Sequence, residues 1–420
     1  MTWDPPPRPE WVLAVNRGDV LTVADEARLP LGRDALLAEA RSELGIDGRG
    51  VDGFGDDGFL EPLDVLLPAL EHEAELTLLG RWITRRFLLR LLAVRAQTVA
   101  YLRADPGVRD EEITAPVLIT GAPRTGTTIL HALLARDPEA RAPEGWELLR
   151  PVPPPEPTAY PDAARVLLAD RELRRPALVV SGLDAIHEYG GRMQKECVSS
   201  MSFEFRSEEF TARYRVPSYV KWLQQCDMTP AYEWHRLVLQ ILQRRFDRSG
   251  WVLKSPVHLH SLPVLLDVYP DARVVVTHRD PLAVLGSVTS LIATMRYAHS
   301  DAVDFAEVGG YHADLYGRSL DGLVDLAANG TLTPEAVHHS HYAAFMADPV
   351  ATTAEVFGGL DRPFTSDIKE AIQEHLAENP RGAKGEHRYA FADLGLDETA
   401  ERARFARYQA HFAVPNEDVQ

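Results

Sequence analysis

Pro116 to Leu134 reads PVLITGAPRTGTTILHALL, and the rest of the chain is arranged around this stretch. Val117 to Thr120 is a short, largely β-branched apolar run, which predicts a buried strand. Apolar residues then recur at helical spacing, so a helix should begin near Thr127. Between strand and helix, residues 121–128 form a glycine-containing turn whose backbone N–H groups lie at the positive end of that helix. Such a turn predicts a binding site for a phosphate or a sulfate.

The loop differs at one position from the nucleotide-binding motif G-x-x-x-x-G-K-[ST]. Thr127 stands where that motif requires lysine, and the cation of the loop comes earlier, as Arg124. Gly121 and Gly126 alone would indicate only a tight turn, but the arginine and the two threonines after a strand favour an anion site. Without the lysine and without an evident magnesium carboxylate, ATP hydrolysis is not favoured.

Composition limits the class of protein. The 420 residues are 45% hydrophobic and 25% charged, which is ordinary for a globular chain with a large core. Lys and Arg total 44 against 62 Asp and Glu, and this net charge of −18 argues against binding to nucleic acid. We find no signal peptide, no apolar segment of membrane-spanning length and no metal-binding cysteine pattern. We therefore expect a cytoplasmic protein without a metal site.

Strand and helix patterns alternate after the first loop. Residues 251–254 and 272–277 predict two further strands, and residues 262–269 and 282–295 predict the helices that follow them. This order predicts a parallel α/β sheet flanked by helices. Ligands bind at the carboxyl ends of the strands in such sheets. The residues that follow the strands should therefore line one crevice: 121–128, 254–258 and 278–280.

Helical patterns surround this core. Residues 1–112 predict an N-terminal helical region that packs on an α/β domain over residues 113–420, or supports a subunit contact in a homo-oligomer. Residues 160–246 predict a helical insertion whose many aromatic side chains fit either the core or an apolar acceptor pocket. A helix is expected after Pro334 through Tyr342 and Phe345, and another from Asp397 to Phe412.

Together, the motifs resemble those of bacterial sulfotransferases that use 3′-phosphoadenosine 5′-phosphosulfate (PAPS). GAPRTGTT, residues 121–128, is similar to the family's phosphosulfate loop, P-[KR]-[ST]-G-T-T. Arg279 and Ser287, eight residues apart in HRDPLAVLGSVTSL, resemble the pair that holds the 3′-phosphate. Tyr342 in HYAAFMADP resembles the tyrosine near the adenine, and residues 381–385 resemble, more loosely, a late basic loop with glycines.

The resemblance covers about residues 113–412 and implies a P-loop-NTPase-like fold. It implies sulfuryl transfer from PAPS to a hydroxyl of a small, apolar or aromatic acceptor, which leaves adenosine 3′,5′-bisphosphate. The donor would lie on the loop amides, with Arg124 bridging the leaving-group oxygens. The residues that the motifs assign to the donor are Arg124, Thr125, Gly126, Thr127, Thr128, Arg279, Ser287, Tyr342, Arg381 and Lys384. A P-loop kinase and a non-catalytic nucleotide-binding protein are the alternatives.

The base that takes the proton of the hydroxyl has two main candidates. Lys254 and His258 resemble the Lys and His of many family members, with Lys254 steadying the transferring group, although His258 stands two residues later than the usual histidine. Glu147 is the rival, since some bacterial relatives use a glutamate soon after the phosphosulfate loop. His187 and Glu196 are weaker candidates.

Overall fold

One parallel five-stranded sheet lies at the centre of the computed structural model, which describes residues 3–47, 52–183, 189–246, 250–380 and 391–419. The strands are β1 (Val117–Thr120), β2 (Ala140–Arg141), β3 (Gly250–Lys254), β4 (Arg273–His278) and β5 (Val337–His341), in the order β2-β3-β1-β4-β5. Every pairing between these strands is parallel, which confirms the predicted sheet.

The first predicted strand occupies the middle of the sheet. In β1, Val117 lies opposite Val252 of β3 on one side and Arg273 of β4 on the other. All four residues of β1 are buried, as are the three valines 274–276 of β4. Runs of β-branched residues suit strands that are covered by helices on both faces. The loops that leave β1, β3 and β4 therefore start side by side at one edge of the sheet.

β5 occupies part of the stretch that was expected to be helical. Val337 to His341 pair with Val274 to His278 of β4, and the helix begins only at Tyr342. The sequence VHHSH gives no clear strand alternation, and backbone pairing with a buried neighbour determines its conformation. The helix prediction is therefore wrong from Val337 to His341 and is confirmed from Tyr342 onwards.

The N-terminal region is helical and packs on the rest of the chain. Its helices are α1 (Glu10–Arg17), α2 (Leu21–Ala27), α3 (Arg33–Leu44), α4 (Leu60–His72) and α5 (Leu78–Ala104). The side chain of Arg95 on α5 is fully buried, donates from Nε to the carbonyl oxygen of Phe54 at 2.8 Å, and pairs with Glu204. Leucines of α3, α4 and α5 share one apolar core with β1 and β4. The boundary at residue 112 stays a prediction.

The segment between β1 and β3 is largely helical. Its helices are α6 (Thr127–Leu134), α7 (Gly145–Leu149), α8 (Ala163–Leu173), α9 (Arg175–Val179), α10 (Val198–Met201), α11 (Glu208–Arg213), α12 (Pro217–Leu223) and α13 (Thr229–Gln243). Most aromatic side chains of this insertion are buried in the core: Phe203, Phe205, Phe210, Tyr214, Tyr219, Tyr232 and Trp234. The core interpretation is confirmed for these residues.

The remaining helices cover the sheet after β3. They are α14 (Leu262–Val268), α15 (Pro281–Tyr297), α16 (Phe305–Ala328), α17 (Tyr342–Ala347), α18 (Pro349–Gly359), α19 (Ser366–Glu378) and α20 (Glu398–His411). Short 3₁₀ helices span Pro106–Asp110, Pro157–Ala159, Ser202–Glu204, Pro256–His260 and Phe391–Leu394. None of the helices in the described parts of the chain is both long enough and apolar enough to cross a membrane.

Candidate functional site

The loop between β1 and α6 follows a path that its glycines make possible. Gly121 has φ +138°, and a Cβ there would lie 2.5 Å from the carbonyl oxygen of Thr277 on β4. Gly126 has φ +88° and caps the N-terminus of α6. Arg124 also has a positive φ, 68°, which a residue with a side chain keeps only where its surroundings hold it. The loop is thus a fixed turn against the end of β4.

Thr125 holds the loop together from inside. Its hydroxyl donates to the carbonyl oxygen of Ala122 at 2.7 Å and shares a hydrogen bond of 2.5 Å with the hydroxyl of Thr277. The side chain is buried, as is that of Thr127, whereas Thr128 is exposed. Of the loop threonines, Thr128 therefore presents its hydroxyl to the surface. The hydroxyl of Thr125 is used inside the loop, so only the backbone of Thr125 can contact a ligand.

The loop and the Arg279–Ser287 motif form one cluster. Arg124 donates from Nε to the hydroxyl oxygen of Ser287 on α15 at 2.9 Å. Arg279, which lies between β4 and α15, donates from Nη1 to the carbonyl oxygen of Arg124 at 2.8 Å. Two arginines from sequence-distant motifs thus lie at the same crevice, at the carboxyl ends of adjacent strands.

Tyr342 completes this cluster on its other side. Its ring faces the Arg279 guanidinium, with Cζ 4.1 Å from the ring centroid. A Cβ added to Gly126 would lie 3.5 Å from the same ring, so the tyrosine also lies against the anion loop. The two other basic residues predicted to bind the donor, Arg381 and Lys384, lie outside the described residues.

Lys254 connects the loop to a carboxylate. At the end of β3, its Nζ donates to the hydroxyl oxygen of Thr128 at 3.2 Å and lies 2.5 Å from Oε1 of Glu196. The Lys254 side chain is 4% exposed and that of Glu196 is 23% exposed. The backbone N–H of Cys197 donates to the carbonyl oxygen of Lys254 at 3.1 Å and fixes this segment on β3. An ammonium, a carboxylate and a loop hydroxyl thus meet beside the anion site.

Glu147 has a different environment from Glu196. Its side chain is fully buried, with Oε1 2.8 Å from Nη2 of Arg141, and Oε2 accepts from the backbone N–H of Glu144 at 2.9 Å. Glu144 in turn caps the start of α7, so the two glutamates form a capping box. The three-residue spacing of Glu144 and Glu147 is the sequence signal for this structural role.

His258 is also enclosed. Its ring is fully buried and hydrogen-bonds through Nδ1 to the hydroxyl of Tyr232 at 3.0 Å. Burial lowers the pKa of His258 to about 3, which keeps the ring neutral at physiological pH. Glu147 and His258 are both shielded from solvent in this structure, whereas the Glu196 side chain is partly exposed. His187, the remaining candidate base, lies outside the described residues.

Glu147→Gln should lower stability while leaving the turnover number nearly unchanged. The amide keeps some hydrogen bonds but loses the charge that balances buried Arg141, so we expect a loss of about 1–3 kcal/mol in the free energy of unfolding. Chemical denaturation and kinetics on the same preparation measure both effects. A large fall in kcat at unchanged stability would instead place Glu147 in catalysis.

A small cleft lies next to this site. Lys195, which precedes Glu196 in the chain, lines it together with apolar and polar side chains: Leu173, Pro176, Leu183, Met295, Glu172, Tyr189, Arg213 and His299. The Lys195 ammonium lies 4.9 Å from the ring centroid of Tyr189, and burial lowers the pKa of this lysine. The cleft therefore has a mixed lining, with apolar side chains beside two cations, Lys195 and Arg213.

Comparisons with known proteins agree on one family. The family model described as the sulfotransferase family matches residues 116–366. The omega-hydroxy-beta-dihydromenaquinone-9 sulfotransferase Stf3 of Mycobacterium bovis is 26% identical over 281 residues, 63% of this chain and 67% of that protein. The crystal structure of sulfotransferase STF1 from Mycobacterium tuberculosis has a TM-score of 0.77 at 30% identity and covers 90% of this chain and 98% of its own. Sulfotransferase STF9 from Mycobacterium avium gives 0.82 at 25% identity, with 93% and 99% covered.

Proposed function

The chain belongs to the sulfotransferase family and is a sulfotransferase, and we propose that it transfers a sulfuryl group from PAPS to the hydroxyl of a small, apolar or aromatic acceptor. The observation that carries the choice of donor is the contact of Arg279 with the anion loop, through the carbonyl oxygen of Arg124. PAPS carries a phosphosulfate and a separate 3′-phosphate. The loop that contains Arg124 suits the phosphosulfate, and Arg279 suits the 3′-phosphate. Because the chain belongs to the sulfotransferase family, the kinase alternative is excluded.

The loop supplies the site for the phosphosulfate. Residues 124–128 present backbone N–H groups at the N-terminus of α6, where the helix dipole favours an anion. Arg124 lies beside these groups and adds a planar, permanently charged donor for the leaving-group oxygens. Tyr342, stacked on Arg279, provides a flat aromatic surface beside the same cluster.

Transfer itself requires one bond to form as another breaks. The acceptor oxygen bonds to sulfur while the bond from sulfur to the bridging phosphate oxygen breaks, and the electron pair leaves on the bisphosphate. Catalysis then depends on positioning and on charge stabilisation. Lys254, fixed beside Thr128 and Glu196, offers an ammonium to the oxygens that gain negative charge.

Glu196 is the residue that we propose as the general base. Its carboxylate is the partly exposed group beside Lys254, whereas Glu147 and His258 are fully buried. The proton of the acceptor hydroxyl would pass to a carboxylate oxygen as the oxygen–sulfur bond forms. Lys254 would hold this carboxylate in place beside the anion loop.

The proposed acceptor class is supported by one relative and by the apolar part of the cleft that Lys195 lines. The cleft that Lys195 lines has an apolar part, formed by Leu173, Leu183 and Met295, next to charged side chains. The Stf3 protein is named for a hydroxylated dihydromenaquinone, an acceptor with a large apolar part. The aromatic residues of the insertion do not add to this argument, because they lie in the core. The cytoplasmic location and the homo-oligomer stay predictions.

Arg279→Ala tests the proposed donor. We expect the variant to bind adenosine 3′,5′-bisphosphate about 10- to 100-fold more weakly, the effect of losing a forked, charge-assisted contact. Adenosine 5′-phosphate, which lacks the 3′-phosphate, should bind with nearly unchanged affinity. Isothermal titration measures both, and transfer from labelled PAPS to a panel of apolar alcohols tests the reaction.

Arg273→Ala is the matched control, because Arg273 begins the same strand at its opposite end. An equal loss for both nucleotides in Arg279→Ala would mean that Arg279 is structural and would count against a 3′-phosphate site. Tight binding of the bisphosphate without transfer to any alcohol of the panel would favour the non-catalytic alternative.

A further inference from the structure

Arg279 is paired with a carboxylate from a segment 138 residues further along the chain. Glu417 accepts from Nε through one oxygen and from Nη2 through the other, both at 2.8 Å. This forked pair has the geometry with which an arginine binds two oxygens of a phosphate. The Tyr342 ring covers the flat face of the guanidinium, and Nη1 is used by the carbonyl oxygen of Arg124. Glu417 therefore occupies the edge of Arg279 that a 3′-phosphate would use.

The backbone of Glu417 is fixed where it lies. Its N–H donates to Oδ2 of Asp280 at 2.6 Å, and its carbonyl oxygen accepts from Nη2 of Arg402 at 3.1 Å. Arg402 also donates from Nη1 to both carboxylate oxygens of the buried Asp280, at 2.7 and 2.6 Å. Asp280 follows Arg279 directly and caps α15. The segment is thus tied to the same turn that carries Arg279.

The Glu417 side chain can leave without this anchor being broken. It is 34% exposed, and its carboxylate contacts Arg279 while the backbone makes the other two contacts. Rotation about its side-chain bonds would move the carboxylate into water and open the fork of Arg279. A doubly charged phosphate can take the same fork with more charge than the carboxylate that it displaces.

We propose that the Glu417 carboxylate is an internal competitor of the 3′-phosphate for Arg279, and that it limits how tightly the sulfuryl donor and its bisphosphate product bind. The inference rests on PAPS as the donor. A ligand that carries a 3′-phosphate replaces the carboxylate and regains a forked pair with Arg279. A nucleotide without this phosphate leaves the carboxylate in place and gains nothing from Arg279. The competition also weakens binding of the bisphosphate product, which favours its release.

Glu417→Gln provides the test, with Asp418→Asn as the matched control. Both substitutions remove one negative charge, and Asp418 is the exposed neighbour of Glu417. In isothermal titrations at one salt concentration, Glu417→Gln should bind adenosine 3′,5′-bisphosphate about 5- to 10-fold more tightly than the parent. Adenosine 5′-phosphate should bind all three proteins alike, and Asp418→Asn should match the parent with both nucleotides.

Weaker bisphosphate binding by Glu417→Gln would show that Glu417 positions Arg279, and the inference would be wrong. If both variants bound the bisphosphate more tightly by the same factor, the gain would come from the change in net charge. The same would hold if Glu417→Gln bound both nucleotides more tightly. Either result would also overturn the inference. A parent protein that does not bind the bisphosphate would overturn the proposed donor, and this inference with it. Thermal melting of each variant, and Glu417→Ala as a second variant, show whether a changed affinity comes from a damaged fold.

Discussion

Replacing Glu196 by glutamine is expected to lower kcat by about 100-fold or more, the usual contribution of a general base. Oε1 of Glu196 lies 2.5 Å from Nζ of Lys254, which in turn contacts Thr128 of the anion loop. Glutamine has nearly the same shape and retains a hydrogen bond to Lys254, but it cannot take the proton of the acceptor hydroxyl. The affinity for adenosine 3′,5′-bisphosphate should therefore stay close to that of the parent.

The pH dependence of kcat distinguishes a base from a positioning residue. A catalytic carboxylate gives a rate that falls at low pH as it is protonated, and this acid limb should disappear in Glu196→Gln. Burial lowers the pKa of His258 to about 3, so this histidine does not titrate between pH 5 and 8. Glu147→Gln is the control for the loss of a buried carboxylate, one that pairs with Arg141. If Glu196→Gln were slower but kept the acid limb, Glu196 would orient Lys254 and would not be the base.

Local sequence patterns predicted the central strands of the sheet and missed the edge strand β5. β1, its loop and α6 are readable because one short stretch contains the apolar strand, the glycines and the helical spacing. β5 is different, since VHHSH becomes a strand only through pairing with β4. Tertiary contact decided that element, and no signal within its five residues carries this information.

In the site, too, the sequence predicts what depends on neighbouring residues and misses contacts between distant segments. The positions of Arg124 and Arg279, each directly after a predicted strand, indicated that they line one crevice, and in the structure Arg279 contacts the backbone of Arg124. The pairing of Glu196 with Lys254 depends on where a loop within the insertion folds back to β3, which spacing does not reveal. Glu417 reaches Arg279 from the far end of the sequence. Such contacts follow from the packed structure alone.

Lys254→Met is expected to lower kcat by about 100- to 1,000-fold, the effect of removing one donor that stabilises charge in a transition state. The bisphosphate lacks the sulfuryl group, so its affinity should change far less than the rate. The acid limb of the remaining activity should move to higher pH, because the Glu196 carboxylate loses the cation 2.5 Å away and is protonated more easily. Lys254→Arg, which keeps the charge, should leave the limb near its original position. If Lys254→Met lost bisphosphate binding as strongly as activity, Lys254 would act in donor binding and its proposed role in the transition state would be wrong.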